Sequence, residues 1–348
     1  MRYMFPFLQD CIYLNTAYTG LLSEPLVEWR KQDDKNFQEH GDLYKRINEK
    51  EYFDEAKTEL AQFIGTKEDN CFITSNFSFA FQTFLFSLPR NSYFLMLEEE
   101  YPSLVEIVSD HGFEFKQIQI SSNIEEKIWD ELHKNQYKVF ALSIIQYASG
   151  LLFDLDWLKK IKKAFPNLLI LADGTQFVGA EKFNFSLCPI DAIFGSTYKW
   201  LLAGYGTGFL AVKDEVITQL NLDKNKFSKS FDRGQLSVKA LGSLTFSIRQ
   251  IQKANFDELM DYKSNLARKL FEGLKKRQLI ESYIAERKKH SSIFNIQIST
   301  NAFQYLLSNN VRCIPRGKGV RISIHHYNTN EEIDVLFDLL DKYTEKKR

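Results

Sequence analysis

The sequence predicts an α/β fold, with a mainly parallel sheet in a large domain and a small α+β domain at the C-terminal end. Three observations point there. Short, near-continuously apolar runs alternate with helical patterns up to Lys213, as in strands buried on both faces between helices. After Lys213 the pattern changes to one long helical tract and then to separated strand and helix signals. At 348 residues the chain is also too long for one ordinary core.

The elements follow in order. "NCFITS" (70–75), "SYFLMLE" (92–98), "KVFALSIIQ" (138–146), "NLLILAD" (167–173), "DAIFGS" (191–196) and "GFLAVK" (208–213) read as strands, being short and apolar. Between them, residues 53–65, 80–88, 104–113 and 155–165 carry apolar spacing of helical period. Residues 237–277 predict one long helix. A strand over 292–300, a helix over 301–309, a strand over 319–328 and a final helix from Asn330 complete the chain. The resulting division is an N-terminal segment (1–30), a large domain (31–238), and a linking helix with the small domain (239–348).

Composition excludes several classes. Lys+Arg and Asp+Glu are equal at 45 each, which gives no electrostatic case for nucleic acid or an anionic membrane. No run reaches about 18 apolar residues and the first residues lack an apolar signal core, so a cytoplasmic protein is expected. The four cysteines, Cys11, Cys71, Cys188 and Cys313, form no CxxC pair, and neither a zinc site nor a disulfide framework is expected. His325 and His326 are the only histidine cluster. Adjacent strand positions face opposite sides, so no metal site is expected there.

In an open parallel sheet, ligands bind beyond the carboxyl ends of the strands. Those ends here carry Thr74 to Ser78, Glu98 to Tyr101, Gln146 to Ser149, Asp173 to Gln176, and Ser196 to Lys199. Singly, Asp173 or Ser78 reads as a helix cap and Tyr101 as a core aromatic. Jointly they supply an amine, a carboxylate, a ring and a hydroxyl-lined helix start. That inventory suits pyridoxal phosphate: a lysine for the Schiff base, an acid for the ring nitrogen, and a helix N-terminus for the phosphate.

The stretch "ILADGTQFVGAEKFNFSLCPIDAIFGSTYKWLLAGYGTGFLAVK" resembles the core of class V aminotransferase-like enzymes, with Asp-x-x-Gln upstream of Ser-x-Tyr-Lys and a glycine-rich turn. The likeness runs from "IYLNTAYTG" (12–20) to "RISIHHYNTNEEID" (321–334). It implies a fold type I pyridoxal phosphate transferase with a seven-stranded type of sheet. It also implies Lys199 as the amine that carries the cofactor, Asp173 on the ring nitrogen and Gln176 on the phenolic oxygen. Phe77, Ser78, Ser196 and Tyr198 would hold the phosphate and Tyr101 would stack on the ring. Arg321 would take the α-carboxylate of an amino acid or related amine, with Asn15 and Tyr147 lining the substrate. Gly234 and Gln235, in "DRGQLS" (232–237), would reach the phosphate of a second subunit, so a homodimer is expected.

The chain departs from the cysteine desulfurases of this family. Cys313 falls on a strand entering a short loop, Tyr198 stands where those enzymes carry histidine, and Tyr147 where they carry asparagine. These features are more similar to the isopenicillin-N epimerase-like branch, and the Tyr-Lys pair also resembles kynureninases. The leading expectation is therefore transamination or epimerisation of a free amino acid. A cysteine or selenocysteine lyase is the first alternative, and a binding protein that retains the fold is the second.

Overall fold

Seven strands of a computed structural model, which describes residues 2–345, build the central sheet. After β1 (Ile12–Tyr13), which lies outside it, these are β2 (Cys71–Thr74), β3 (Phe94–Leu97), β4 (Phe115–Ile118), β5 (Val139–Ser143), β6 (Leu169–Asp173), β7 (Ala192–Ser196) and β8 (Gly208–Val212). Their order is β2-β8-β7-β6-β5-β3-β4. The neighbours from β7 through β4 are parallel, and β8 runs against both β7 and β2. The carboxyl ends of β2, β3, β5, β6 and β7 therefore lie on one edge.

The alternation of side chains explains why the strands are apolar throughout. Along β6, Leu169 and Leu171 enter one core cluster while Ile170 and Ala172 enter another. Ala192 and Phe194 of β7 likewise oppose Ile193. One of these cores is dense in phenylalanine: Phe81 and Phe84 meet Phe194 edge-on at 5.2 and 5.4 Å. Each such ring contributes about 1.5–3 kcal/mol by burial, so the helix Phe77–Leu85 is fixed firmly on the sheet.

Several features differ from the sequence expectation, among them β4, the linking tract and the early end of β12 at Ser323. β4, "FKQI", was not recognised because it is an edge strand paired on one side only, with Lys116 exposed. The tract 237–277 is two helices, Val238–Lys253 and Phe256–Lys276, separated at Asn255, whose φ is 59°. Asparagine tolerates that left-handed conformation better than most residues.

A second, three-stranded sheet has the order β11-β12-β9, from β9 (Ile293–Ile296), β11 (Ile314–Arg316) and β12 (Gly319–Ser323). β10 (Val311–Arg312) pairs with β1, and Asn15 bridges Ser323. The N-terminal segment is thereby stitched to the C-terminal part. It also reaches the loop after β7, where the Gly20 amide donates to the Tyr198 carbonyl at 3.0 Å.

Candidate active site

Asp173 ends β6 and is buried. The Thr175 amide donates to its Oδ1 at 2.8 Å. Burial pushes its carboxyl above the usual range, opposed by Thr175 and by the charge of Lys199. Lys199 follows β7 and is only 8% exposed. Burial pushes its amine down to about 8, against the pull of Asp173, and Arg321 and Arg316 push the same way as burial. An amine so placed is neutral over part of the physiological range, which is what a nucleophile or base requires.

Aromatic rings flank it. Nζ of Lys199 lies 6.0 Å from the Tyr101 ring centre and 5.5 Å from that of Tyr198. Tyr101 meets Tyr147 edge-on at 5.7 Å and Phe77 at 6.2 Å. Tyr198 is stacked on Tyr205 at 4.6 Å, and burial raises its phenol pKa.

The helix Phe77–Leu85 points its start at this group. Ser196 Oγ accepts from the Phe77 amide at 3.0 Å, and Asn76 Oδ1 accepts from the Phe79 amide at 2.9 Å. The Ala80 amide donates to the Asn76 carbonyl. The Ser78 amide and hydroxyl and the Ser196 hydroxyl proton remain to meet an anion, aided by the helix dipole.

Arg321, on β12, is 2% exposed. Its Nη1 donates to the Tyr147 carbonyl at 2.7 Å. Among the described residues its Nε finds no partner, and the groups acting on its charge are Arg316, Tyr147 and Tyr198 rather than a carboxylate. Burial pushes it down to about 10. A buried guanidinium without an anion is costly, and an anionic ligand could offset that cost. The Oδ1 of Asn15, on the segment bridged to β12, is also buried without a partner.

These features (an amine, a buried acid and a helix start on one sheet edge, with a buried guanidinium reaching Tyr147 from the second sheet) coincide with a family match. The profile of the family Aminotransferase class-V fits residues 35–336. The chain belongs to that family. A probable cysteine desulfurase of Mycoplasma genitalium (strain G37) is 24% identical over 330 residues, covering 82% of this chain and 80% of that protein. Among solved structures, a mutant of C-DES with glycine covalently linked to its PLP cofactor has a TM-score of 0.87 at 16% identity, covering 97% of this chain and 98% of that one. The cystine C–S lyase C-DES with its product cysteine persulfide has a TM-score of 0.85 at 16% identity, covering 96% and 98%.

This class-V enzyme is therefore a fold type I protein whose cofactor is pyridoxal phosphate. The expectation of an enzyme holds, and the alternative of a binding protein that retains the fold gives way. The residues present fit the cofactor: Lys199 could bond its aldehyde, Asp173 its ring nitrogen, and Ser78 and Ser196 its phosphate. Tyr101 could cover its ring.

Not every expected residue is free for its expected role. Gln176 is held at both ends, donating to the Ala17 carbonyl at 2.9 Å and accepting from the Trp200 indole at 2.7 Å; one amide N–H remains for the cofactor. Gly234 and Gln235 lie exposed, away from the other site residues of their own chain. Gln235 bonds Lys45 at 2.7 Å and also Glu49.

Sequence reasoning missed the anchoring around Trp200. Its carbonyl accepts from His325 Nε2 at 3.2 Å, and the His325 ring stacks on it. His325 and His326 do not face opposite ways: their rings are 4.2 Å apart, because β12 has already ended at Ser323. No local signal in the sequence marks these contacts. Among the described residues no helix is long and apolar enough to cross a membrane.

Proposed function

We propose that the enzyme is a carbon–sulfur lyase that cleaves the Cβ–S bond of a sulfur-bearing α-amino acid. The single observation that carries this reading is the state of the cysteines. All four are free and buried. Burial alone pushes Cys313 up to about 12 and is the main cause of a rise to about 12 at Cys71; it also raises Cys11 and Cys188. A thiol that takes sulfur from a substrate must be exposed and readily ionised, so here the sulfur leaves on the substrate's own fragment. The resemblance to a probable cysteine desulfurase and to a cystine C–S lyase supports sulfur chemistry over transamination or epimerisation.

Arg321 binds the α-carboxylate through the guanidinium edge that carries its unpartnered Nε, its Nη1 being held by the Tyr147 carbonyl. Lys199 Nζ takes the proton from Cα, and Asp173 holds a proton on the cofactor's ring nitrogen. When bound, pyridoxal phosphate supplies the electron sink for the pair left at Cα. The Cβ–S bond then breaks and its electron pair leaves with sulfur as a thiolate or persulfide. The three-carbon fragment, hydrolysed by one water, ends as pyruvate and ammonium.

Product analysis tests the reading. With L-cystine the holoenzyme is expected to form pyruvate and ammonium in equal amounts, and Cys313→Ser to do so at the wild-type rate. Alanine as product, with loss of sulfur release in Cys313→Ser, would assign a thiol-relay desulfurase instead. A keto acid that keeps its sulfur would restore transamination.

A further inference from the structure

Behind Asp173 lies a second buried carboxyl that no step above uses. Glu100 is 4% exposed. Its Oε1 accepts from the Ser143 amide at 3.0 Å and its Oε2 from the Ser143 hydroxyl at 2.5 Å, while the Tyr101 amide also donates to it. Ser143 and Asp173 are register partners on β5 and β6, so the two carboxyls sit at adjoining strand ends. The turn that delivers Glu100 is strained. Glu99 has φ 61°, and its carbonyl accepts from the Gln146 side chain. A non-glycine residue held there signals a surrounding structure that over-determines it.

We propose that Glu100 is a positioning residue for the cofactor: it fixes Tyr101 beside Lys199 and places a second titratable carboxyl behind Asp173 that tunes how tightly the site holds a proton. Among the described residues, few charged groups act on it. Asp173 faces it from β6; beyond Asp173 stands Lys199, and Arg321 and Arg316 act on Lys199 from the C-terminal sheet. Burial raises Glu100 to about 7, opposed by the Ser143 donors and reinforced by Asp173. Near neutrality, then, Glu100 changes charge. Above that pH it is an anion and favours protons on its neighbours; below it, it is neutral and does not.

The inference rests on the cofactor and not on the lyase reading, so its test is separate from product analysis. The visible absorption band of the holoenzyme is titrated against pH for wild type and for Glu100→Gln, which keeps the volume but not the charge. Loss of a nearby negative charge is expected to lower the midpoint by about 0.5–1 pH unit. Ser143→Ala removes one donor to the anion and is expected to shift the midpoint the same way by less, and it carries the test if Glu100→Gln does not fold. A purely structural Glu100 would lower the melting temperature without moving the band. A folded variant whose midpoint stays within about 0.1 unit of wild type overturns the proposal.

Discussion

At Lys199 burial strips water from the ammonium and Asp173 opposes that effect only in part, so the amine sits at about 8 rather than in the ordinary lysine range. The sign of the consequence is determined. Below that pH the amine is protonated and cannot attack the cofactor's aldehyde; above it the neutral form dominates. Capture of pyridoxal phosphate by the cofactor-free protein, followed by absorbance, is expected to accelerate through pH 8 and level off about one unit higher, whereas an exposed lysine would keep accelerating to about 10.4. A rate still climbing at that higher pH would assign Lys199 an unperturbed environment. The same accounting separates Arg321 from Cys313. Both are buried, but Arg321 keeps its charge with Nε unpartnered, whereas Cys313 is held as a neutral thiol. One is a buried cation that an anion could offset, and the other a buried neutral thiol.

The elements that matter most are short. The turn at the start of helix Phe77–Leu85 spends its Phe77, Phe79 and Ala80 amides on Ser196 and Asn76, and so offers the phosphate few donors. The segment from Asn15 to Gly20 is the other critical piece, because it passes directly over the peptide of Lys199. A Cβ added at Gly20 would stand 2.1 Å from the Lys199 carbonyl oxygen and 2.7 Å from Leu202 Cδ2. The oxygen belongs to backbone and cannot move aside without moving Lys199. Gly20→Ala is therefore expected to cost about 1–3 kcal/mol of stability, as overpacking does, and to weaken cofactor binding. Urea unfolding and quenching of tryptophan fluorescence by the cofactor measure the two effects. Wild-type values for both would mean the segment is free to shift.

At the scale of the whole molecule, the chain leaves its phosphate contacts thin and a good deal of apolar surface uncovered. A cleft of about 710 Å³ away from the site is lined by Trp29, Tyr52 and Phe246, and Tyr3 beside it is 77% exposed. Gly234 and Gln235 are turned outward. A phosphate of nearly two negative charges needs several donors, and amides from a second copy's 232–237 segment would supply them. A symmetric pair is also the commonest soluble assembly. On this proposal, bound cofactor and activity are expected to fall together as the protein is diluted through its dissociation range. Light scattering that finds a monomer with its full cofactor would refute the shared site.

The alternation of apolar strands and helices was legible in the sequence because it depends on neighbours along the chain. So was the placing of Asp173, Ser196 and Lys199 at strand ends, since a strand's exit is marked by the residues that follow it. The edge strand β4 was hidden because one paired side and an exposed lysine leave little apolar pattern. The helix break at Asn255 was hidden because one asparagine in a helical tract is weak punctuation. Only the tertiary structure could decide the chemistry of the site. The burial that raises the Cys313 thiol, the register that sets Glu100 beside Asp173, and the Tyr147 carbonyl that meets Arg321 all arise between residues far apart in sequence. Burial and electrostatics are properties of what surrounds a group in space, and periodicity along the chain carries no record of them.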